Sequence, residues 1–264
     1  VAVNFYVRDT AKTDTISLSF FDNKENLIKK YSTHPDKEKK EERLNVNPGS
    51  NQFNWNLMYM DAEKIKGMIL WSASLRGPKA IPGNYKVSME KSGVIKSQDF
   101  TILKDPRSGA TMSDMTAQSS FIIEIRDKLT EIHKALKNVA KIKIQINQLN
   151  KSISDKEKHK ELLDLANKIS KEVTIIENNL YQTKSKSGQD PLNFPIKLNN
   201  KLGYLNSLTS MGNFKPTDQA VDFKNEIIKE IDAELTNLYQ LFTTDVTELN
   251  KKVKESNIDL IQLD

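Results

Sequence analysis

Up to about residue 104, apolar residues recur at every second position, as in Ile16, Leu18 and Phe20, in Phe53, Trp55 and Leu57, and in Tyr85, Val87 and Met89. A period of two places them on one face of half-buried strands. Turn chemistry punctuates these runs. Pro48-Gly49 and Pro82-Gly83 suit type II turns, in which Pro presets the first central residue and Gly accepts positive φ at the second. Ser92-Gly93 predicts a hairpin between strands near 84–91 and 94–103. About seven short strands in roughly 100 residues, with no helical periodicity between them, predict an antiparallel sandwich and not a parallel α/β sheet.

Lys104-Asp105-Pro106-Arg107-Ser108-Gly109 interrupts the strand pattern, and beyond it the apolar spacing changes to three and four. Ile122, Ile125, Leu129, Ile132, Leu136, Val139, Ile142, Ile146, Leu149 and Ile153 form one stripe, enough for a helix of some forty residues. Ser154 and Glu157 have the spacing of a capping box, which predicts a reversal and a new helix start. A second stripe runs through Leu162, Ala166, Ile169, Val173, Ile176 and Leu180. After Gly188 and Pro191, a shorter helix is expected over about 195–211. Lys215-Pro216-Thr217 then opens a last long one carrying Phe223, Ile227, Ile231, Leu235, Leu238, Phe242, Leu249 and Val253. Isolated long helices would leave these stripes wet, and the short turns favour antiparallel neighbours in one chain over a coiled-coil dimer. The predicted architecture is α+β in two domains. An immunoglobulin- or fibronectin-III-like antiparallel β-sandwich covers 1–106, and an antiparallel four-helix bundle covers 107–264.

Composition adds little to that picture. No apolar run approaches the roughly 20 residues needed to cross a bilayer, so no membrane span is expected. The strand pattern begins at Val1 with no initiator Met, signal peptide or polar leader, so the chain is expected to start inside a longer protein. Zero cysteines exclude disulfides and thiolate metal sites. The net charge of +5 belongs to the first part: residues 1–108 carry 18 Lys/Arg against 13 Asp/Glu, and residues 109–264 carry 22 of each. Much of the excess lies near Lys37-Glu38-Lys39-Lys40-Glu41-Glu42-Arg43, where the mixed signs describe a solvated loop; nucleic acid is not an expected partner.

Candidate chemistry is sparse. His34 precedes Pro35 in a charged loop, and His133 and His159 fall on predicted helices with no second His at i+4 and no Glu-x-x-His pattern. They read as exposed helix histidines, and no metal or cofactor is expected. No G-x-S-x-G elbow or Gly-rich phosphate loop occurs. Glu124, Asp127 and Glu131, spaced by three and four among lysines, describe an ion-paired helix surface and not a glycosidase carboxylate pair. Trp55 and Trp71 are the natural anchors of the strand core, with a carbohydrate-stacking platform as the alternative. The unusual segment is 180–202, dense in amides and prolines. Gln189, Asp190, Asn193, Asn199 and Asn200 are its candidate partner contacts. The structural reading of the same residues has Asp190 and Asn193 capping the next helix while Leu192 and Phe194 plug the bundle end.

At several of these places the sequence resembles the C-terminal region of large bacterial proteins, common in Bacteroidetes, known as sortilin-like or BNR-repeat glycosyl hydrolases. The stretches that carry the resemblance are Asn51-Gln52-Phe53-Asn54-Trp55-Asn56-Leu57, Gly67-Met68-Ile69-Leu70-Trp71, Arg76-Gly77-Pro78, Pro82-Gly83-Asn84-Tyr85, Lys104-Asp105-Pro106-Arg107 and, most specific, 181–202. The family usually has Asp after the Trp and a Tyr-Pro-Asp-Ala sequence. Asn56 and Tyr59-Met60-Asp61-Ala62 depart from that, which argues against a binding role for Asp61. The resemblance implies an exported protein (periplasmic, cell-surface or secreted) whose upstream β-propeller, on the same polypeptide, carries any hydrolase or ligand site. The present chain is then a non-catalytic accessory module that contacts the propeller and, beyond it, a protein or glycan. A carbohydrate-binding module is the alternative.

Overall fold

The computed structural model describes residues 1–9, 14–256 and 258; the end of the expected helical stretch 107–264 lies partly outside them. The fold is mixed α+β. Strands β1 (Ala2–Val7), β2 (Ile16–Phe21), β3 (Leu27–Ser32), β4 (Glu42–Arg43), β5 (Gly49–Asn54), β6 (Gly83–Lys91) and β7 (Val94–Ile102) come first. Helices α1 (Met112–Ser152), α2 (Lys160–Leu180), α3 (Leu198–Thr209), α4 (Asp218–Thr243) and α5 (Asp245–Glu255) follow.

Packing divides the chain into two compact units that do not follow the change from strand to helix. One comprises residues 1–62, 76–126 and 209–216, the other 63–75, 127–208 and 217–264. The expected boundary at 106/107 therefore marks where the local periodicity changes. Residues 63–75 fall in the second unit, where side chains distant in sequence fasten them.

In the first unit β1 and β5 pair antiparallel, and the remaining strands form a sheet in the order β4-β3-β2-β6-β7. Every pairing in that sheet is antiparallel except the two-residue contact of β4 with β3. The apolar positions spaced by two do what that period demands. Leu18, Phe20, Tyr31, Trp55 and Tyr85 are buried in one cluster, with Phe53, Val87, Met89 and Phe100 half-buried against it. Trp55 stacks on Phe20 at 4.4 Å and meets Tyr85 and Phe100 edge-on at 6.2 Å. Ser92 and Gly93 both take positive φ, 52° and 79°, as a two-residue type I′ turn requires, so β6 and β7 form the expected hairpin. Gly49, at φ 96°, fits a type II turn. Gly83, at φ 153°, lies outside one and instead opens β6 directly. The mixed-charge stretch is tied down locally by the Lys29–Glu42 pair at 2.8 Å and the Lys30–Glu41 pair at 3.0 Å.

Burial raises the phenol pKa of Tyr31 and Tyr85, and that of Tyr59 in the same direction. The neutral form is favoured in the fold, so this stabilisation is fully present below the unfolded value near 10 and is lost as pH rises through the native values. These three of the chain's seven tyrosines are expected to develop phenolate absorbance only together with alkaline unfolding. A native-state titration in which all seven ionise together near pH 10 contradicts the burial.

In the second unit the stripes of α1 and α2 are buried as the spacing predicts, from Leu129 to Ile153 and from Leu162 to Leu180. Two expectations at the helix ends fail. The Ser154/Glu157 box is not formed: α2 starts at Lys160 with His159 at its N-cap, and the turn before it is held by Asp155 Oδ1, which accepts from the Lys158 N–H at 3.1 Å. The last long helix is two, α4 and α5, which meet at Thr244 (φ −100°, ψ −77°), where its hydroxyl and that of Thr243 turn back onto the Gln240 carbonyl. Such back-bonding by β-hydroxyls bends helices. Thr217 caps α4 as Lys215-Pro216-Thr217 suggested, accepting from the Ala220 N–H. The buried stripe of α4 enters through Lys224, with Phe223 41% exposed. Among the described residues no helix is long and apolar enough to cross a membrane.

Candidate functional site

The five candidate partner contacts fall into two groups. Gln189 and Asn193 are exposed and flank a single 3-10 turn, Asp190–Leu192. Asp190 folds that turn back on the preceding chain: its carboxylate accepts from the Lys186 and Ser187 N–H groups and the Ser187 hydroxyl. These bonds, the Lys186 N–H first, hold its pKa below the usual carboxylate value. Asp190 therefore closes a loop instead of capping α3. Leu192, expected to plug the helix ends, is 67% exposed, and Phe194 is half-buried with the Lys184 ammonium 5.9 Å from its ring centre.

Asn199 and Asn200 sit in the first turn of α3, both buried. The face they open continues through Gly203, Asn206 and Ser207, a polar and small stripe at helical spacing opposite the apolar Leu198, Leu202 and Leu205. This stripe grips residues 63–75, a segment without regular structure. Asn200 Oδ1 accepts from the Trp71 N–H at 2.7 Å, and its Nδ2 donates to the Trp71 carbonyl at 3.0 Å. Ser207 donates to the Ser72 carbonyl, Asn206 to that of Ser74, and the Ser74 N–H donates to the Gly203 carbonyl. Gly203 is required for this approach, since a Cβ there would lie 2.9 Å from that of Ala73.

The other end of the segment is held from α1 and α2. Thr130 accepts from the Glu63 N–H, Lys137 pairs with the Glu63 carboxylate, and the Tyr181 hydroxyl accepts from the Ile69 N–H. His133 Nδ1 lies 2.6 Å from the Glu63 carbonyl. A carbonyl can only accept, so Nδ1 carries the proton and Nε2 receives the Asn199 amide at 3.3 Å. The expectation of exposed helix histidines therefore fails at His133, which is fully buried; His34 is exposed and His159 half-exposed. The reason is the irregular segment, which covers a helix face that periodicity alone assigns to solvent.

A segment lacking its own ladder must have its backbone groups satisfied elsewhere, and here side chains do it. The clasp also decides the fate of the two tryptophans. Trp55 is buried, whereas Trp71, whose N–H and C=O are both taken by Asn200, keeps its indole outside, 44% exposed. The expectation that Trp71 anchors the strand core is thus corrected: it belongs to the clasped segment. Sequence reasoning read Asn199 and Asn200 as loop amides. The missed signal is the i, i+3, i+7 stripe of Asn200, Gly203 and Ser207 along the helix.

In the first unit, a hollow of about 500 Å³ is lined by Asp105, Arg107, Gly109, Asn213 and Phe214, among others. Its charges are paired with each other, Arg107 bridging both oxygens of Asp105. Among the described residues, no cluster of three His, Asp or Glu side chains is placed to hold a metal ion. No protein-family model, curated protein or solved structure matches the chain.

Proposed function

We propose that the chain is a non-catalytic accessory and interaction module, the C-terminal part of an exported protein whose upstream portion is a β-propeller of the sortilin-like or BNR-repeat kind. In this reading the two sheets around Trp55 form an immunoglobulin- or fibronectin-III-like sandwich. The helices form an antiparallel bundle of four-helix type, with α4 and α5 together serving as its last member. The observation that carries the non-catalytic reading is how three buried polar side chains around residues 63–75 are used. His133, Asn200 and Asn206 all bond to backbone groups of their own unit, so their donors and acceptors are committed to architecture. Reactive groups poised for a substrate keep an open valence facing a cleft. Co-purification with a separately produced propeller from the same polypeptide, or a raised melting temperature on mixing, is the expected result. The reading fails if the two neither bind nor stabilise one another.

A carbohydrate-binding module is the second reading, favoured by one observation: the Trp71 indole is exposed on a backbone immobilised from both sides. A fixed aromatic face is what sugar stacking needs. On a glycan array, any binding should disappear in Trp71→Ala while the melting temperature stays within a few degrees. Absence of binding across a broad array removes this reading.

A further inference from the structure

The free edge of β7 has a geometry of its own. The two-residue turn at Ser92-Gly93 makes Lys91–Val94 a hydrogen-bonded pair, and pairs of that kind recur at every second position of an antiparallel ladder. Val94, Lys96, Gln98, Phe100 and Ile102 therefore direct their backbone groups at β6. Ile95, Ser97, Asp99 and Thr101 direct theirs outward, and these N–H and C=O groups have no partner among the described residues. All four residues are exposed, with Ile95 and its neighbour Val94 each at 63%. The opposite edge of the same sheet is the two-residue β4, so the long open edge is β7, nine residues. Natural edge strands are usually shortened, bulged or covered, because an open one is a template for another strand.

We propose that β7 is a self-association surface, on which two copies of this chain pair antiparallel about a two-fold axis through Gln98. The occupant follows from the register. A two-fold pairing must match residues of the same sheet face, and the only register that matches all four outward residues to one another sets Ile95 against Thr101 and Ser97 against Asp99 of the second copy. All the outward donors and acceptors are then satisfied. On the other face the same register sets Val94 against Ile102 and Lys96 against Phe100, and brings the two Gln98 amides together. No like charges oppose each other, two apolar pairs are covered, and each Ser97 hydroxyl meets a carboxylate. Moving the register by two residues toward the C-terminus would oppose Asp99 to Asp99. Strand-edge pairing alone buries less than a standard interface, so the dimer is weak, with a micromolar to millimolar dissociation constant.

Sedimentation velocity of the full chain across that concentration range tests it, with two substitutions at one exposed site. Ser97→Lys sets an ammonium against Asp99 of the second copy at two symmetric places and should tighten the dimer about 3- to 10-fold; Ser97→Asp sets carboxylate against carboxylate and should weaken it as much. Ser97→Pro removes an outward N–H, which an edge strand tolerates, together with the hydroxyl contact to Ser88 at 2.7 Å, and should abolish the dimer in a folded chain. Should that variant not fold, the Lys and Asp pair still decides. A chain that stays monomeric throughout, as it would if the edge served a strand of some other protein, overturns the proposal. So does dimerisation that shifts equally with both charges.

Discussion

Replacing Trp55 by Ala is expected to remove about 3–5 kcal/mol from the strand-rich unit, a large part of the 5–15 kcal/mol typical of a whole domain. The indole is 2% exposed and lies at the centre of an aromatic cluster, stacked on Phe20 at 4.4 Å with an interplanar angle of 19° and edge-on to Tyr85 and Phe100. Each such pair contributes about 0.5–1.5 kcal/mol beyond the area it buries. One part of the side chain works against the rest: Nε1 is buried with no hydrogen-bond partner among the described residues, which costs on the order of 1–3 kcal/mol. Trp55→Phe keeps the stack and removes the unmet donor, so it should lose less than half of what Ala loses. Because the chain divides into two compact units, the measurement is hydrogen exchange of the β2 and β6 amides during urea unfolding, which reads the strand-rich unit by itself. A loss below about 1 kcal/mol for Ala, or a Phe variant no better than Ala, would show that the cluster is not what stabilises the sheets.

That core was legible in the sequence because it rests on local periodicity. Alternation at Ile16, Leu18 and Phe20, and again at Tyr85, Val87 and Met89, determines which faces are buried whatever the partner strand. The long stripes of α1 and α2 were legible for the same reason. What escaped was everything decided by a partner distant in sequence. Trp71 sits in an apolar run, Met68-Ile69-Leu70-Trp71, that by itself reads as a buried strand. Its backbone is instead bonded to Asn200, 129 residues away, and a segment held by side chains has no period to announce it. His133 reads as solvent-facing on its helix until Glu63 and Asn199 close over it. The break at Thr244 involves no Pro or Gly. It turns on two hydroxyls competing for one carbonyl, a local choice that apolar spacing does not register. Of the candidate contacts, Asn199 and Asn200 read as loop amides, whereas both are buried in the first turn of α3.

Asn200→Ala is expected to release residues 63–75 from their helix. The substitution leaves both the N–H and the C=O of Trp71 without the amide that now satisfies them, and it empties a buried site at the start of α3. Two orphaned backbone groups at about 1–3 kcal/mol each, lessened because water reaches the exposed side of Trp71, put the loss near 2–4 kcal/mol. Asp is no substitute: it can accept from the Trp71 N–H, but its second oxygen faces a carbonyl that needs a donor. Gly203→Ala should act in the same direction, pushing Ala73 away from a contact that already stands at 2.9 Å for the added Cβ. The direct readout is tryptic cleavage after Lys66, an exposed site inside the segment, whose rate tracks the fraction of time the clasp is open. Asn193→Ala is the matched control, an exposed amide on the loop leading to α3 that should change stability by less than about 0.5 kcal/mol. If Asn200→Ala resists trypsin as well as that control does, the segment is held by the His133 and Tyr181 end alone. The stripe on α3 would then be packing without grip. If cleavage rises steeply in Asn200→Ala and Gly203→Ala but not in Asn193→Ala, the clasp is what fixes Trp71 in place, and loss of glycan binding in Trp71→Ala can be ascribed to the indole rather than to the fold beneath it.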